Sequence, residues 1–260
     1  MQMDAFTNQP IALITGASSG LGQAFAYALA KQGYRLILLA RREERLAKIK
    51  ANVATDCQIH SVDLSDLNQV TQVLTKLPTH IDLLICNAGY RISAEFEKAA
   101  PTTITQQITC MIDAHNRLMQ YCLNSFIAQK QGQIVMVSSI AGLLPSPGPL
   151  YGPIKAYQHH QAINLHAHYK HLGIHVMSLC PGLIRTEFHS VNGLTDWSNI
   201  SSRWWMSADQ VAHKSLKKLK KKKTFFIPGW YNQLLYMTIR HLPITVQQWL
   251  TQRFFEKSRM

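Results

Sequence analysis

Apolar runs without polar alternation recur along this chain, and segments with helical spacing separate them. Ile11–Thr15 (IALIT) is the first such run, and it stops at a glycine-rich turn. Helical spacing follows from Leu21 to Lys31, Gly33 ends that element, and Arg35–Ala40 (RLILLA) is again continuously apolar after its first residue. The pattern then predicts a charged amphipathic helix over Glu43–Val53, a strand over Gln58–Val62, a helix over Leu67–Leu77 and a strand over Ile81–Cys86. Thr103–Gln129 reads as one long helix, Ile134–Val137 as a strand, Tyr151–His171 as a second long helix and Ile174–Leu179 as a strand. Strands covered on both faces lose their alternation, and intervening helices supply parallel crossovers. The prediction is therefore a single doubly wound α/β domain with a parallel sheet.

After Phe188 the alternation breaks. Residues 191–206 mix Gly, Asn and Ser with Trp197, Trp204 and Trp205, so a lid or substrate loop is expected at about 189–207. A helix over Ala208–Lys220 and a strand over Thr224–Ile227 bring the catalytic domain to residue 229, and residues 230–260 form a basic, aromatic-rich helical extension.

Composition narrows the class. A length of 260 residues and an apolar fraction of 47% suit one folded domain and exclude disorder. Five cysteines, Cys57, Cys86, Cys110, Cys122 and Cys180, show no CxxC spacing, which argues against a disulfide framework or a zinc site. Met1–Pro10 carries Asp4 and no apolar stretch, so no signal peptide is read there. No run of about 20 apolar residues is present, so a cytoplasmic location is expected. The formal charge of +13 invites an anionic partner.

The turn after the first run is Thr15-Gly16-Ala17-Ser18-Ser19-Gly20-Leu21-Gly22. Glycines let backbone approach a pyrophosphate, and the helix that follows offers free N–H groups and a positive dipole end. Its spacing is G-x-x-x-G-x-G, and a glycine-rich strand–helix turn that binds nothing is the plain alternative. The second strand ends Leu39-Ala40-Arg41-Arg42, with no carboxylate before Glu43. A guanidinium there suits a ribose 2′-phosphate, so NADP is favoured over NAD.

Tyr151 and Lys155 lie one helical turn apart and share a face. A free phenol titrates near pH ~10, and a neighbouring ammonium favours its phenolate, which suits acid–base work near neutrality. Ser138-Ser139 ends the Ile134–Val137 strand at the carboxyl edge, where open-sheet active sites lie. Tyr-x-x-x-Lys alone is equally an ordinary exposed helix face.

In combination, Thr15 to Gly22, Asp63, Asn87-Ala88-Gly89, Ser138-Ser139, Tyr151-x-x-x-Lys155 and Pro181-Gly182 followed by Thr186 resemble the short-chain dehydrogenase/reductase family, over roughly residues 8 to 188. The resemblance implies a Rossmann-type domain with Tyr151 as acid/base, Lys155 lowering its pKa and binding the nicotinamide ribose, and Ser139 orienting a substrate carbonyl. It implies a cofactor site of Gly16, Ser18, Ser19, Gly20, Leu21 and Gly22 at the phosphates. Arg41 stands at the NADP-selecting position. Asp63 and Leu64 meet adenine, Asn87, Ala88 and Gly89 support the cofactor, and Pro181, Gly182, Ile184 and Thr186 border the nicotinamide. A homodimer or homotetramer is the family's usual state.

Two departures stand out. Met111 falls where many members carry an asparagine that holds a water in a proton relay, although Asn116 is nearby. The interval from Ser139 to Tyr151 is one residue short; Ser138 restores the count, but Ser139 fits the Ser-Ser-x-Ala-Gly pattern better.

Other signals weigh less. His168 and His171 lie on one helical face, but no carboxylate or cysteine joins them in a metal-site pattern. Cys86 and Cys180 end apolar runs and read as core residues. Lys217 to Lys223 is followed by Trp230, Leu234, Leu235, Met237, Arg240, Trp249, Arg253, Phe254 and Phe255. Such a tail suits an interfacial helix on an anionic membrane or a cap over a substrate pocket or dimer interface, with nucleic acid disfavoured. The expected activity is an NADPH-dependent carbonyl reductase, reversible as an alcohol dehydrogenase, acting on a lipophilic compound. The alternative is a non-catalytic NADP-binding sensor or scaffold on the same fold.

Overall fold

The computed structural model describes residues 9–92, 94–146, 148–188 and 202–256. Strands β1 (Ile11–Thr15), β2 (Arg35–Ala40), β3 (Cys57–Ser61), β4 (Leu83–Cys86), β5 (Gly132–Val137), β6 (Ile174–Leu179) and β9 (Phe225–Phe226) form a seven-stranded sheet in the order β3-β2-β1-β4-β5-β6-β9. Every pairing in it is parallel. The chain winds outward from β1 to β3 and restarts at β4, so the strand order reverses between β1 and β4. A ligand crevice opens at the carboxyl ends of strands at such a switch point.

Alternating positions of the apolar strands feed two cores. Ala12 and Ile14 join Phe25 and Leu29 of α1 (Gly20–Ala30), Leu46 and Ile49 of α2 (Glu43–Ala51), and Val211, Leu216 and Leu219 of α7 (Ala208–Lys220). Ile11 and Leu13 face the opposite layer. There they meet Val70 and Val73 of α3 (Leu67–Leu74), Leu118, Cys122 and Phe126 of α5 (Ala114–Gln129), and Ile154 and Ala162 of α6 (Tyr151–Tyr169). All five cysteines are free thiols buried in this interior.

The structure departs from the pattern in two places. The single helix expected over Thr103–Gln129 is α4 (Pro101–Ile108), a π-helical turn over Thr109–Asp113, and then α5. Two side chains meet the Met111 carbonyl in this turn: Gln158 Nε2 lies 2.6 Å from it and His115 Nδ1 3.1 Å. Most of the expected substrate loop, residues 189–201, lies outside the described residues. Its end is not a loop, because β8 (Trp205–Ser207) pairs with β7 (Leu183–Arg185) in a separate two-stranded sheet.

The extension divides into two unlike helices, α8 (Trp230–Ile239) and α9 (Ile244–Glu256). Gly229 starts α8 at φ 86°, a conformation that favours glycine. Asn232 and Ile239 of α8 are buried. By contrast, Ile244, Val246 and Trp249 of α9 are exposed. No helix among the described residues is long and apolar enough to cross a membrane.

Candidate active site

A cavity of about 380 Å³ runs along the carboxyl ends of β1, β2, β4, β5 and β6. One half is built by the β1–α1 turn. Gly16 has φ 64°, and a Cβ there would lie 2.8 Å from the Ala88 backbone. A Cβ on Gly22 would lie 2.3 Å from the Gly16 carbonyl oxygen, which only glycine avoids. Asn87 closes the turn from β4 by donating through Nδ2 to the Thr15 carbonyl at 3.0 Å. The backbone N–H groups of Asn87 and Ala88 in turn reach the Thr15 hydroxyl at 2.8 and 3.0 Å.

Two arginines flank this turn, and they are placed differently. The Arg41 side chain is 71% exposed, with its nearest carboxylate, Asp63, at 4.0 Å. Arg42 points inward, donating to Ser18 Oγ at 3.1 Å and Ser19 Oγ at 2.7 Å. It also pairs with Glu187 at 2.5 Å, and Arg45 reaches the other Glu187 oxygen at 2.6 Å. Burial pushes the Glu187 carboxyl upward, but bonds from Arg45, Arg42 and Ser19 outweigh that and hold it down at about 2. Sequence reasoning singled out Arg41 and missed Arg42, whose only signal was adjacency. Close backbone approach, serine hydroxyls and guanidinium groups at one helix N-terminus fit a dinucleotide carrying a 2′-phosphate.

The other half is more enclosed, with Ser138 and Lys155 buried and Ser139 and Tyr151 half-buried. Val137 ends β5 beside Ser138 and Ser139, and these two hydroxyls do different things. Ser138 is 2% exposed and donates to the Lys155 carbonyl at 2.6 Å, fastening β5 to α6. Ser139 accepts from the Ala141 amide at 3.1 Å, and its side chain is hydrogen-bonded to Tyr151. Lys155 is 3% exposed and lies with Nζ 5.6 Å from the centre of the Tyr151 ring. Its ammonium donates to the Val137 carbonyl at 2.7 Å and to Gln158 Oε1 at 2.9 Å.

The phenol is not set as expected, because burial dominates and Lys155 is not among the groups that lower it. Burial pushes Tyr151 up to about 12, while the Ser139 bond and the charge of Arg91 pull it down. Burial also lowers Lys155 to about 8. At neutral pH the pair is thus a protonated phenol beside an ammonium, a state suited to donating a proton.

The remaining expected positions line the same cavity: Asp63, Leu64, Asn87, Ala88 and Gly89 on one wall, Pro181, Gly182, Ile184 and Thr186 on the other. Asp63 turns its carboxylate to the Ser65 amide and hydroxyl, at 2.9 and 2.7 Å. Pro181 accepts from the Ile140 amide at 3.0 Å, pinning the end of β6 to the residue after Ser139. A Cβ on Gly182 would lie 2.6 Å from Asn232 of α8, so α8 packs directly behind this wall. Met111 is fully buried, and Asn116 bonds Tyr157 and Gln161 instead of any residue of the cavity. Gln158, His115, Arg91 and Asn232 were not foreseen. Gln158 had one signal, being a polar residue one turn beyond Lys155 on the same helix.

Comparison with known proteins agrees with this geometry. Residues 10–195 match the short chain dehydrogenase family model. The NADP-dependent 3-hydroxy acid dehydrogenase YdfG of Escherichia coli is 30% identical over 190 residues, spanning 70% of this chain and 75% of that protein. Among solved structures, a short-chain dehydrogenase from Sphingobium yanoikuyae in complex with NADPH is 26% identical, covers 96% of both chains and gives a TM-score of 0.79. A bulky-bulky ketone specific alcohol dehydrogenase from Comamonas testosteroni is 25% identical, with 98% of this chain and 96% of that one covered and a TM-score of 0.75. With the family model covering most of the chain over the same residues that build the cavity, this protein belongs to the short-chain dehydrogenase/reductase family of oxidoreductases.

Proposed function

We propose that this protein is an NADP(H)-dependent carbonyl reductase, reversible as an alcohol dehydrogenase, acting on a lipophilic ketone, aldehyde or secondary alcohol. The observation that supports it best is the convergence of Ser139, Tyr151 and Lys155 in one cavity with the Gly16–Gly22 turn and Arg42. Arg42, Ser18 and Ser19 hold the 2′-phosphate, with Arg41 adding an outer charge. When bound, NADPH supplies the hydride. Ser139 holds the substrate oxygen through its hydroxyl, and Tyr151 delivers its phenolic proton to that oxygen. The Lys155 ammonium, kept in place by Val137 and Gln158, stabilises the phenolate left behind. Leu183, Ile184 and Phe188 line the cavity and give it the apolar character a bulky carbonyl compound needs. NADPH oxidation against a panel of medium and long-chain ketones and aldehydes tests the reading. Tight NADPH binding without turnover on any of them favours the sensor alternative.

The extension supports a second role, contact with an anionic membrane surface. Between Gln210 and Phe255 the chain has nine Lys or Arg residues and no Asp or Glu. Trp230, Leu234, Met237, Ile244 and Trp249 are all more than half exposed in the same stretch. Exposed aromatic and aliphatic groups beside unopposed cations match an interfacial helix, and each surface cation adds about 1 kcal/mol on an anionic leaflet. Because α8 packs against the cavity wall and Trp249 of α9 is exposed, Trp249→Glu is the clean test. Loss of co-sedimentation with phosphatidylserine vesicles at unchanged NADPH affinity is expected, and unchanged co-sedimentation rejects the role. We assign a homo-oligomeric state, which light scattering of the purified chain checks.

A further inference from the structure

Lys155 is almost fully enclosed, so the groups around its ammonium decide whether it can stay charged. Facing it are Cys86 from β4, Cys110 from the π turn, Cys180 after β6, Tyr151 on its own helix and His115 on α5. Burial raises the thiols of Cys86, Cys110 and Cys180, so at neutral pH they carry no charge. Burial, aided by Lys155, lowers His115 to about 3, so it is neutral too. None of these groups is an anion to balance the ammonium. The acceptors it has are the Val137 carbonyl and Gln158 Oε1.

Gln158 is itself fully buried, and its hydrogen bonds have a fixed sense. A carbonyl only accepts, so the nitrogen of the carboxamide faces Met111 O at 2.6 Å and its oxygen faces the Lys155 ammonium. His115 Nδ1 lies 3.1 Å from the same carbonyl and 3.3 Å from Gln158 Nε2. Its Nε2 lies 3.1 Å from the Thr15 hydroxyl, which receives the Asn87 and Ala88 amides and reaches the Ile85 carbonyl at 3.3 Å. A continuous buried chain of polar contacts thus joins Lys155 to the cofactor-side turn. The carbonyl at its centre is presented by the π turn at Met111, the position that lacks the expected asparagine side chain.

We infer that Gln158 is a positioning residue for Lys155: its carboxamide ties the ammonium to the Met111 carbonyl and holds the charged lysine beside Tyr151. This rests on the proposed catalytic reading only for its effect on turnover. The hold on Lys155 is measurable without it.

The test is titration of Lys155 in the full-length protein by NMR of isotope-labelled lysine, assigned with Lys155→Met, alongside pH profiles of kcat for ketone reduction. Gln158→Leu removes the acceptor at similar size, and the Lys155 midpoint should fall by ~1 pH unit, with kcat following it and NADPH affinity unchanged. Gln158→Glu puts a carboxylate in the same place, and the midpoint should rise. Opposite shifts from two substitutions at one site are not what a purely structural role produces. If Gln158→Leu fails to fold, Gln158→Glu alone decides. A midpoint that stays put in either folded variant overturns the inference. If wild-type protein turns over no ketone while the midpoints move as stated, the proposed activity falls and the hold on Lys155 stands.

Discussion

The two halves of the cavity are held by different physics. At the phosphate half, position is set by backbone that only glycine permits and by charged side chains that reach into water: Gly16 and Gly22 shape the turn, and Arg42 and Arg41 border it. At the catalytic half, Lys155, Ser138, Gln158 and His115 are each 3% exposed or less. Their placement depends on every partner being present, because an unpaired polar group there has no water to replace what it loses. The first half responds to salt through its charges; the second is an interlocked network that resists salt and fails as a unit.

The largest expected effect breaks the catalytic half at its centre. Tyr151→Phe should lower kcat for ketone reduction by about 10²–10⁴-fold while NADPH affinity, measured by fluorescence quenching, stays the same. An unchanged rate would remove Tyr151 from its role. On the phosphate side, Arg42→Ala should raise the KM for NADPH about 10–100-fold and leave that for NADH alone, since it deletes charge-assisted bonds to one phosphate. Added salt should shrink that difference, and a salt-independent loss would contradict the comparison. Arg41→Ala, at an exposed side chain, should cost less than Arg42→Ala, about fivefold or under, as for other solvent-screened charges.

A pH profile probes the buried half without mutation. Burial has taken the Lys155 ammonium from its ordinary range to about 8, so it is charged below that pH and discharges as pH rises through it. Tyr151, pushed up to about 12, remains a phenol across the same window. Reduction should therefore hold steady near neutrality and decline above about pH 8, and a flat rate from pH 6 to 9 would deny the lysine its part. The smallest effect tests the region outside both halves: Trp249→Glu on exposed α9 should leave ketone reduction within about twofold, as surface changes away from the site usually do.

Sequence alone determined the sheet, the family and most of the residues that line the cavity. Continuous apolar runs such as RLILLA are legible because burial on both faces removes every polar position, and a glycine turn or a Tyr-x-x-x-Lys spacing is legible because its geometry is local. Tertiary structure decided what depends on residues far apart in the chain. Arg42 turns inward onto Ser18, Ser19 and Glu187, the last of them more than 140 residues later, while Arg41 stays exposed. Ser138 and Ser139 are identical residues side by side, yet one fastens two elements and the other meets Tyr151, since successive strand-end side chains point opposite ways. The π turn at Met111, and the partnership of Gln158 with Lys155 across it, join β5, α5 and α6 in one buried network. No local pattern encodes such a network, because its energy lies in polar groups satisfying one another away from water.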